Sequence, residues 1–249
     1  ATQPVITVQD ASGNTVENSS ISIDVAIDSG NLTGTTQIAA VNGIATFSGL
    51  GKNGTVGSKR LTFSKTGGGL TEATFDFTLT YGAIHHLNVN VANTLANDTA
   101  WATQPVVSIQ DEDNNTVDVT DTVTLTATGA TAVAIGGTTS MQTTNGVANF
   151  TGKGVKLTGL VGSKTLTATI TSGNGFAKDT AITLTFGAAT KLALTTEPAG
   201  FINRTLFATQ PVVTVQDVSG NTVANSSISI DVTIDSGDVT GTTRVGAVN

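Results

Sequence analysis

The stretch Ile21-Ser-Ile-Asp-Val-Ala-Ile-Asp28 alternates apolar and polar residues. Successive side chains of a β-strand point to opposite faces, so this alternation predicts a strand with one buried face and one face in water. Residues 228–235 repeat the pattern, and residues 75–81 show it again with Phe and Leu on the apolar face. No stretch spaces its apolar residues with the period of a helix, so we predict an all-β protein.

A tetrapeptide, Ala-Thr-Gln-Pro, occurs three times, beginning at Ala1, Ala102 and Ala208. A period of about 100 residues is the size of one immunoglobulin-like β-sandwich. Residues 1–42 and 208–249 align without a gap and differ at nine positions, whereas residues 102–143 match them well only at their start. The sequence therefore predicts an array in which two types of domain alternate.

The repeats predict three domains. Residues 1–82 form an immunoglobulin-like domain without its first strand, residues 83–187 a complete one, and residues 188–249 the N-terminal half of a third; we call them repeats 1, 2 and 3. Strands of repeat 2 are predicted near residues 86–91, 105–110, 121–128, 132–138, 147–152, 163–171 and 180–186. The predicted fold is thus all-β: tandem immunoglobulin-like β-sandwiches of about seven strands each, arranged end to end.

Local signals add detail to this fold. Trp101 and Phe207 both stand directly before the tetrapeptide, and we expect each to anchor a core. Asn-Gly at Asn42 and at Asn145 precedes an alternating run and predicts a tight hairpin. Further turns are predicted at residues 12–14 and 172–175.

The junctions between repeats are short. Only a Gly-Ala pair follows Tyr81 and Phe186, the last residues of the predicted final strands. A chain without a free linker predicts a stiff rod. Because residues 1 and 249 both fall inside a predicted domain, we expect a segment of a longer polymer. If these are true termini, we expect neighbouring copies of the chain to be its partners, through exchange of a strand at an open sheet edge.

Composition excludes several classes of protein. The 249 residues include no Cys, which rules out disulfides and thiolate metal sites. The net charge is −7 and the basic residues are scattered, so we expect no nucleic-acid partner. No apolar run is long enough to predict a membrane span in this segment. The two histidines are neighbours, and no set of residues resembles a catalytic triad, so we expect no enzyme.

The densest acidic patch is the candidate metal site. It comprises Asp111, Asp113 and Asn115, whose side-chain oxygens recur at alternate positions as Ca²⁺ ligands do. The glycine and distal glutamate of an EF-hand loop are missing. The alternative interpretation is an ordinary turn rich in Asp and Asn, and we expect no cofactor other than such a calcium ion.

Several strings resemble the bacterial Ig-like repeats of large surface or filament proteins, of the invasin and intimin type. They are residues 191–198 (KLALTTEP), 208–217 (ATQPVVTVQD), 219–223 (SGNTV) and 42–47 (NGIATF). The resemblance spans essentially the whole chain. It implies an extracellular, structural or adhesive protein and provides no catalytic residues.

We therefore expect a structural or adhesive repeat segment of an extracellular surface protein, forming a stiff stalk, a filament or a surface layer. The alternative is a glycan-binding or ice-binding module of a giant adhesin. Glycan sites usually need exposed aromatic rings, and only 4% of the residues are aromatic. An ice site needs a flat array of threonines. Thr-rich strands such as residues 165–171 fit such an array, and they equally fit an ordinary sheet with threonines facing the solvent.

Overall fold

The computed structural model describes residues 2–171 and 175–248, so most of the turn predicted at 172–175 lies outside the described residues. The chain divides into two compact units. Unit 1 comprises Ala1–His85 with Gln110–Val117, and unit 2 comprises His86–Ile109 with Asp118–Asn249. The described residues form twenty-two strands and no helix, as the alternating sequence predicts. Accordingly, no helix in this part of the chain is long and apolar enough to cross a membrane.

The strands of unit 1 are β1 (Val5–Thr7), β2 (Ser22–Ile27), β3 (Asn31–Thr33), β4 (Gln37–Ala39), β5 (Ile44–Thr46), β6 (Gly51–Asn53), β7 (Gly57–Lys65) and β8 (Ala73–Leu79). They form a four-stranded sheet in the order β4-β2-β7-β8 and two small sheets, β1-β5 and β3-β6. The alternating stretch is the central strand β2. Its apolar face is buried, with Ile23 opposite Lys65 and Val25 opposite Phe63 in the antiparallel pairing with β7.

The core of unit 1 lies between these sheets. Phe47 and Phe63 pack with their ring centroids 5.5 Å apart, and Ile23, Val25 and Leu61 surround them. Burying one such side chain contributes about 1.5–3 kcal/mol. The apolar face predicted from alternation is therefore the face that holds the unit together.

Unit 2 continues the series with β9 (His86–Asn90), β10 (Thr94–Ala96), β11 (Val106–Gln110), β12 (Thr122–Gly129), β13 (Val133–Gly136), β14 (Ser140–Gln142), β15 (Val147–Asn149), β16 (Lys156–Gly159), β17 (Gly162–Ile170), β18 (Ala177–Thr185), β19 (Lys191–Thr196), β20 (Val212–Gln216), β21 (Ser229–Asp231) and β22 (Arg244–Gly246).

Repeat 2 supplies the sandwich of unit 2. One sheet has the order β10-β18-β17-β12-β14 and the other β15-β11-β9, with a small β13-β16 ribbon beside them. The buried side chains alternate along β17, where Leu166, Ala168 and Ile170 are almost fully covered. Trp101 is 3% exposed, and its Nε1–H donates to Ala92 O at 2.9 Å, as expected of a core anchor.

The two Asn-Gly hairpins are as predicted. Asn42 and Gly43 have φ of 51° and 74°, and Asn145 and Gly146 have 49° and 74°. A type I′ turn needs positive φ at both central residues, which Asn and Gly tolerate best. The turns join Val41 to Ile44 and Thr144 to Val147 by antiparallel bridges.

Repeat 2 has three more short strands than the sequence predicts. They are β10, β14 and β16. Strands of three or four residues carry too few alternations to be recognised, and their partners, not their own pattern, define them. β10 pairs parallel to β18, β14 borders β12, and β16 pairs with β13.

Repeat 3 is paired more sparsely among the described residues. It contains the ribbons β19-β20 and β21-β22. Phe207 is 39% exposed and meets only the ring of Phe201 among described aromatic neighbours, at 5.1 Å, so the prediction that it anchors a core is wrong. The segments that cover Trp101 in repeat 2, such as the backbone at Val155, have no counterpart within residues 188–248.

Candidate functional site at the repeat boundaries

One turn recurs in all three repeats, within three residues of the end of the strand that follows the tetrapeptide. Its first residue is Asp10, Asp111 or Asp217, and its last residue, four positions later, is an Asn. In each copy Oδ1 of the Asp accepts the backbone N–H groups two and four residues ahead, at 2.8–3.0 Å. These local bonds explain the spacing of Asp and Asn, and we call the three segments boundary turns.

The second boundary turn is bonded to the end of repeat 1, within unit 1. Oδ2 of Asp111 accepts Gly82 N–H at 2.9 Å. Oδ1 of Asn115 accepts Val56 N–H at 3.0 Å, and Nδ2 of Asn115 donates to Gly54 O at 3.1 Å. The connector residue that follows the last strand of repeat 1 and the loop before β7 are thus bonded to one turn.

The third boundary turn repeats this arrangement, within unit 2. Oδ2 of Asp217 accepts Gly187 N–H at 2.9 Å. Oδ1 of Asn221 accepts Val161 N–H at 2.9 Å, and its Nδ2 donates to Gly159 O at 3.0 Å. Each contact has its counterpart at the second turn, so the two boundaries share one design although their repeats differ in sequence.

Asn97 completes the third boundary. Its Nδ2 donates to Asp217 Oδ2 and to Ser219 Oγ, both at 2.9 Å, and its Oδ1 accepts Gly159 N–H at 2.8 Å. A Cβ added at Gly187 would stand 2.3 Å from Asn97 O, so the close approach of these backbones requires glycine after the last strand. Asn97 is 1% exposed. Both polar atoms of its buried side-chain amide have hydrogen-bond partners.

Asp217 is a fully buried carboxylate. Burial raises its pKa, but the N–H of Gly187 and the amide groups of Asn221 and Asn97 outweigh this effect and lower the pKa from 3.8 to about 2. The hydrogen bonds of the third boundary therefore stabilise the ionised carboxylate of Asp217.

The other two turns follow the same chemistry at different burial. Burial raises the pKa of Asp111, and hydrogen bonds from Gly82 and Asn115 outweigh it and lower the pKa. At Asp10 the N–H and side-chain amide of Asn14 lower the pKa, although the carboxylate is exposed. The local turn thus forms with or without a covering neighbour.

The three predicted calcium ligands lie together in the second boundary turn. Both oxygens of Asp111 accept protein N–H groups, Oδ2 of Asp113 accepts Gly54 N–H at 2.9 Å, and Asn115 Oδ1 accepts another. Ca²⁺ needs six to eight oxygens, so it would compete with these donors. Calcium binding here stays a prediction. Residues 2–171 and 175–248 contain no group of three or more His, Asp or Glu arranged to hold a metal.

A shallow cleft of about 280 Å³ lies beside this turn within unit 1. Its wall is polar and includes Lys52, His85, Asp111 and Asp113, and it contains no Phe, Tyr or Trp. Sugar rings are usually held by aromatic faces. The cleft therefore offers little to the glycan-binding alternative.

Sequence reasoning missed the role of the Gln in the tetrapeptide. Gln104 Nε2 donates to Trp101 O at 2.7 Å and Val155 O at 3.2 Å, and its Oε1 accepts Val155 N–H at 2.7 Å. Gln3 makes the same pair of bonds with the backbone of Leu50. The recurrence of Gln in three copies was the available signal.

Asn97 was missed as well. Its signal is weaker: Asn97 and Asn203 both stand five residues before the tetrapeptide, in the strings NDTAW and NRTLF. A recurrent Asn in a Thr-rich chain is easily attributed to chance. Only the structure gives its partners.

The chain resembles several solved structures. No protein-family model matches the sequence, and no curated protein matches it. Among solved structures, the chain is similar to the D0-D1 domain of intimin, with 18% identity over 72% of this chain and 88% of that one and a TM-score of 0.25. It is also similar to invasin, a bacterial integrin-binding protein, with 16% identity over 96% of this chain and 49% of that one and a TM-score of 0.34.

A third similar structure is a glycosyl hydrolase family 2 member from Bacteroides cellulosilyticus, with 11% identity over 67% of this chain and 22% of that one and a TM-score of 0.33. The chain spans about a fifth of that enzyme and about half of invasin. Intimin and invasin, the proteins whose repeats the sequence strings resemble, are thus among the structural matches. Similarity at this level carries no function with it, and the boundary turns are the feature of this chain that bears on function.

Proposed function

We propose that this chain is a structural or adhesive repeat segment of an extracellular surface protein, and that it serves as a stiff stalk, filament or surface layer. The observation that supports this most is the pair of bonded boundary turns. Connectors that donate N–H groups to a buried carboxylate lose the freedom of a linker, and a series of such connectors transmits force along the chain.

The connectors themselves are short and tied at several points. Residues 80–85 separate β8 from β9, and within them Gly82 N–H is bonded to Asp111 and His85 N–H to Gln110 O. Residues 186–190 separate β18 from β19, and Gly187 and Thr190 are bonded to Asp217 and Gln216. Free Gly-Ser linkers, by contrast, make no such bonds.

Stiffness is tested by the spread of distances between two repeats. Because the chain has no Cys, cysteines introduced at Asn18 and Ala132 take spin labels at these sites alone. We expect a narrow distance distribution by double electron–electron resonance, and a broad one after Asp111→Ala with Asn115→Ala. Asp10→Ala is the matched control and should leave the distribution unchanged. A broad distribution in the unmodified chain would contradict a stiff stalk.

Placement at the cell surface needs a separate test. Immunogold electron microscopy with an antibody against this segment should label the outside of the cells that produce it, and label confined to the interior would contradict the proposal. Binding to a glycan array, or thermal hysteresis in ice growth, would replace the structural role by the alternative binding role.

Association with neighbouring copies is part of the proposal. Strand β11 lies between β15 and β9, whereas its counterpart β1 pairs only with β5 among the described residues. An open edge of this kind is a template for a strand from another copy. Mass spectrometry of native material decides the matter: a subunit near 25 kDa favours strand exchange, and a far larger chain favours a continuous array.

A further inference from the structure

The first and third boundary turns are almost the same peptide. Residues 9–16 read QDASGNTV and residues 216–223 read QDVSGNTV, so they differ at one position, Ala11 against Val218. Val218 is 50% exposed, so this difference does not lie at the buried contacts. In both turns the Asp carboxylate accepts the same internal hydrogen bonds from the backbone N–H groups of Ser and Asn.

Their surroundings differ completely. Asp217 and Asn221 are buried, and their remaining polar atoms bind Gly187, Asn97, Val161 and Gly159, all contributed by repeat 2. Asp10, Ser12 and Asn14 are exposed. Oδ2 of Asp10 accepts the side-chain N–H of Asn14, as Oδ2 of Asp217 accepts that of Asn221. At the third turn repeat 2 supplies further donors, which lie outside the turn itself.

We infer that the Asp10–Asn14 turn is a docking site for a repeat of the repeat 2 type, which would present the N–H of a glycine after its last strand, a Gly-Leu-Val loop and a buried Asn side chain. The carboxylate, the Ser hydroxyl and the Asn amide required for this contact are all present in the first turn. The twin turn binds these partners in the same chain. This inference deepens the proposed function by naming the partner, and its experiment reports on docking alone, whatever the location of the protein.

The decisive experiment supplies that partner in the order found around the third turn. A second copy of residues 83–207 is fused to the N-terminus of the chain, so that repeat 2 precedes the first tetrapeptide as it precedes the third. We expect the titration of Asp10, followed by NMR, to shift to that of Asp217, about 2. The amide of the added copy of Gly187 should exchange about tenfold more slowly than in the same fusion carrying Asp10→Ala, as expected for loss of one charge-assisted hydrogen bond.

Two control results bear on the same fusion. Asn97→Ala in the added copy should reverse part of the shift of Asp10, because one of the two external donors to the carboxylate is lost while the Gly187 N–H remains. A fusion in which the added Trp101 is buried, as its fluorescence reports, while Asp10 titrates as in the unextended chain would overturn the inference.

A second test needs no fusion. Val218→Ala makes residues 216–223 identical to residues 9–16, so the third boundary then contains the first turn itself. We expect the Gly187 amide to keep its exchange rate within about twofold, since the changed side chain is exposed. A tenfold loss of protection would show that the first turn cannot occupy this site, and would overturn the inference even if the fusion failed to fold.

Discussion

Residues 1–42 and 208–249 have nearly the same sequence, yet the strand is buried in the first segment and the boundary turn in the second. In the first segment Ile23 and Val25 are 4% and 6% exposed and the boundary turn is open to solvent. In the second, Val232 is 43% exposed whereas Asp217 is fully buried. None of the nine substitutions between the segments changes Asp10, Asn14, Ile23 or Val25.

The difference shows that residues outside these two segments decide which of their side chains are buried. The apolar face of β2 is covered because Phe47, Leu61 and Phe63, which all follow it in the chain, pack with it in one core. β21 pairs with β22 alone among the described residues. The turn of repeat 3, conversely, is covered by residues 97, 159, 161 and 187, which precede it.

The largest difference is expected at the paired positions Ile23 and Ile230. Ile23→Ala should destabilise unit 1 by about 3 kcal/mol, because it removes a side chain from a packed core and leaves a cavity. Ile230→Ala should cost about 1 kcal/mol or less, because this side chain is only half buried. Native-state hydrogen exchange of the amides in β7 and β22 measures both, and equal costs would show that the comparison fails.

For substitutions in the boundary turns, the larger loss of stability is expected in repeat 3 and the smaller one in repeat 1. Asp217→Ala should cost about 3 kcal/mol, because the donors from Gly187, Asn97 and Asn221 are left buried without an acceptor. Asp10→Ala, the matched control, should cost much less, because water replaces the lost acceptor at an exposed site. Exchange of the Gly187 and Asn14 amides reports the two effects. A larger loss at Asp10 than at Asp217 would contradict the assignment of the buried boundary.

Acid should weaken the third boundary. The pKa of Asp217 is lowered to about 2 in the folded chain, so its stabilising contribution is complete above the ordinary value of 3.8 and is lost as the pH falls through 2. The contribution at stake is about 2 kcal/mol. The protection of the Gly187 amide relative to its intrinsic exchange rate, followed between pH 5 and pH 2, measures it, and Asp217→Asn should abolish the pH dependence of this protection.

The smallest difference is expected at Gln3 and Gln210. Gln3 exchanges two hydrogen bonds with Leu50, and Gln3→Ala should cost about 1 kcal/mol. Gln210 is exposed and, within the described part of the chain, donates only to Phe207 O, and Gln210→Ala should change stability by about 0.5 kcal/mol at most. Urea unfolding of the two variants, each probed at its own repeat, provides the measurement.

Much of the fold was predictable from local patterns. The alternation in residues 21–28 predicted the central strand β2, and Asn42 and Asn145 predicted tight hairpins, because these signals depend on a few adjacent residues. The sequence also predicted Trp101 in the core. It failed at Phe207, which stands at the same place but lacks the segments that cover Trp101.

The candidate site was predictable only as a turn. Asp111, Asp113 and Asn115 were recognised as a cluster of oxygens, for which a bound cation and an ordinary turn were both reasonable interpretations. Their main partners are backbone N–H groups at Gly54, Val56 and Gly82, which carry no side-chain signal at all. Glycines and small residues in loops are too common to reveal such a contact.

By itself, the sequence determined the repeats, the all-β class, the strand alternation and the local bonds of each boundary turn, because all of these depend on residues close together in the chain. Tertiary structure alone decided which of two nearly identical faces or turns is buried, and which backbone N–H groups meet Asp111 and Asp217. Burial and hydrogen bonding between residues far apart in the chain depend on which distant segments pack against each other. A short peptide pattern contains no information about those distant segments.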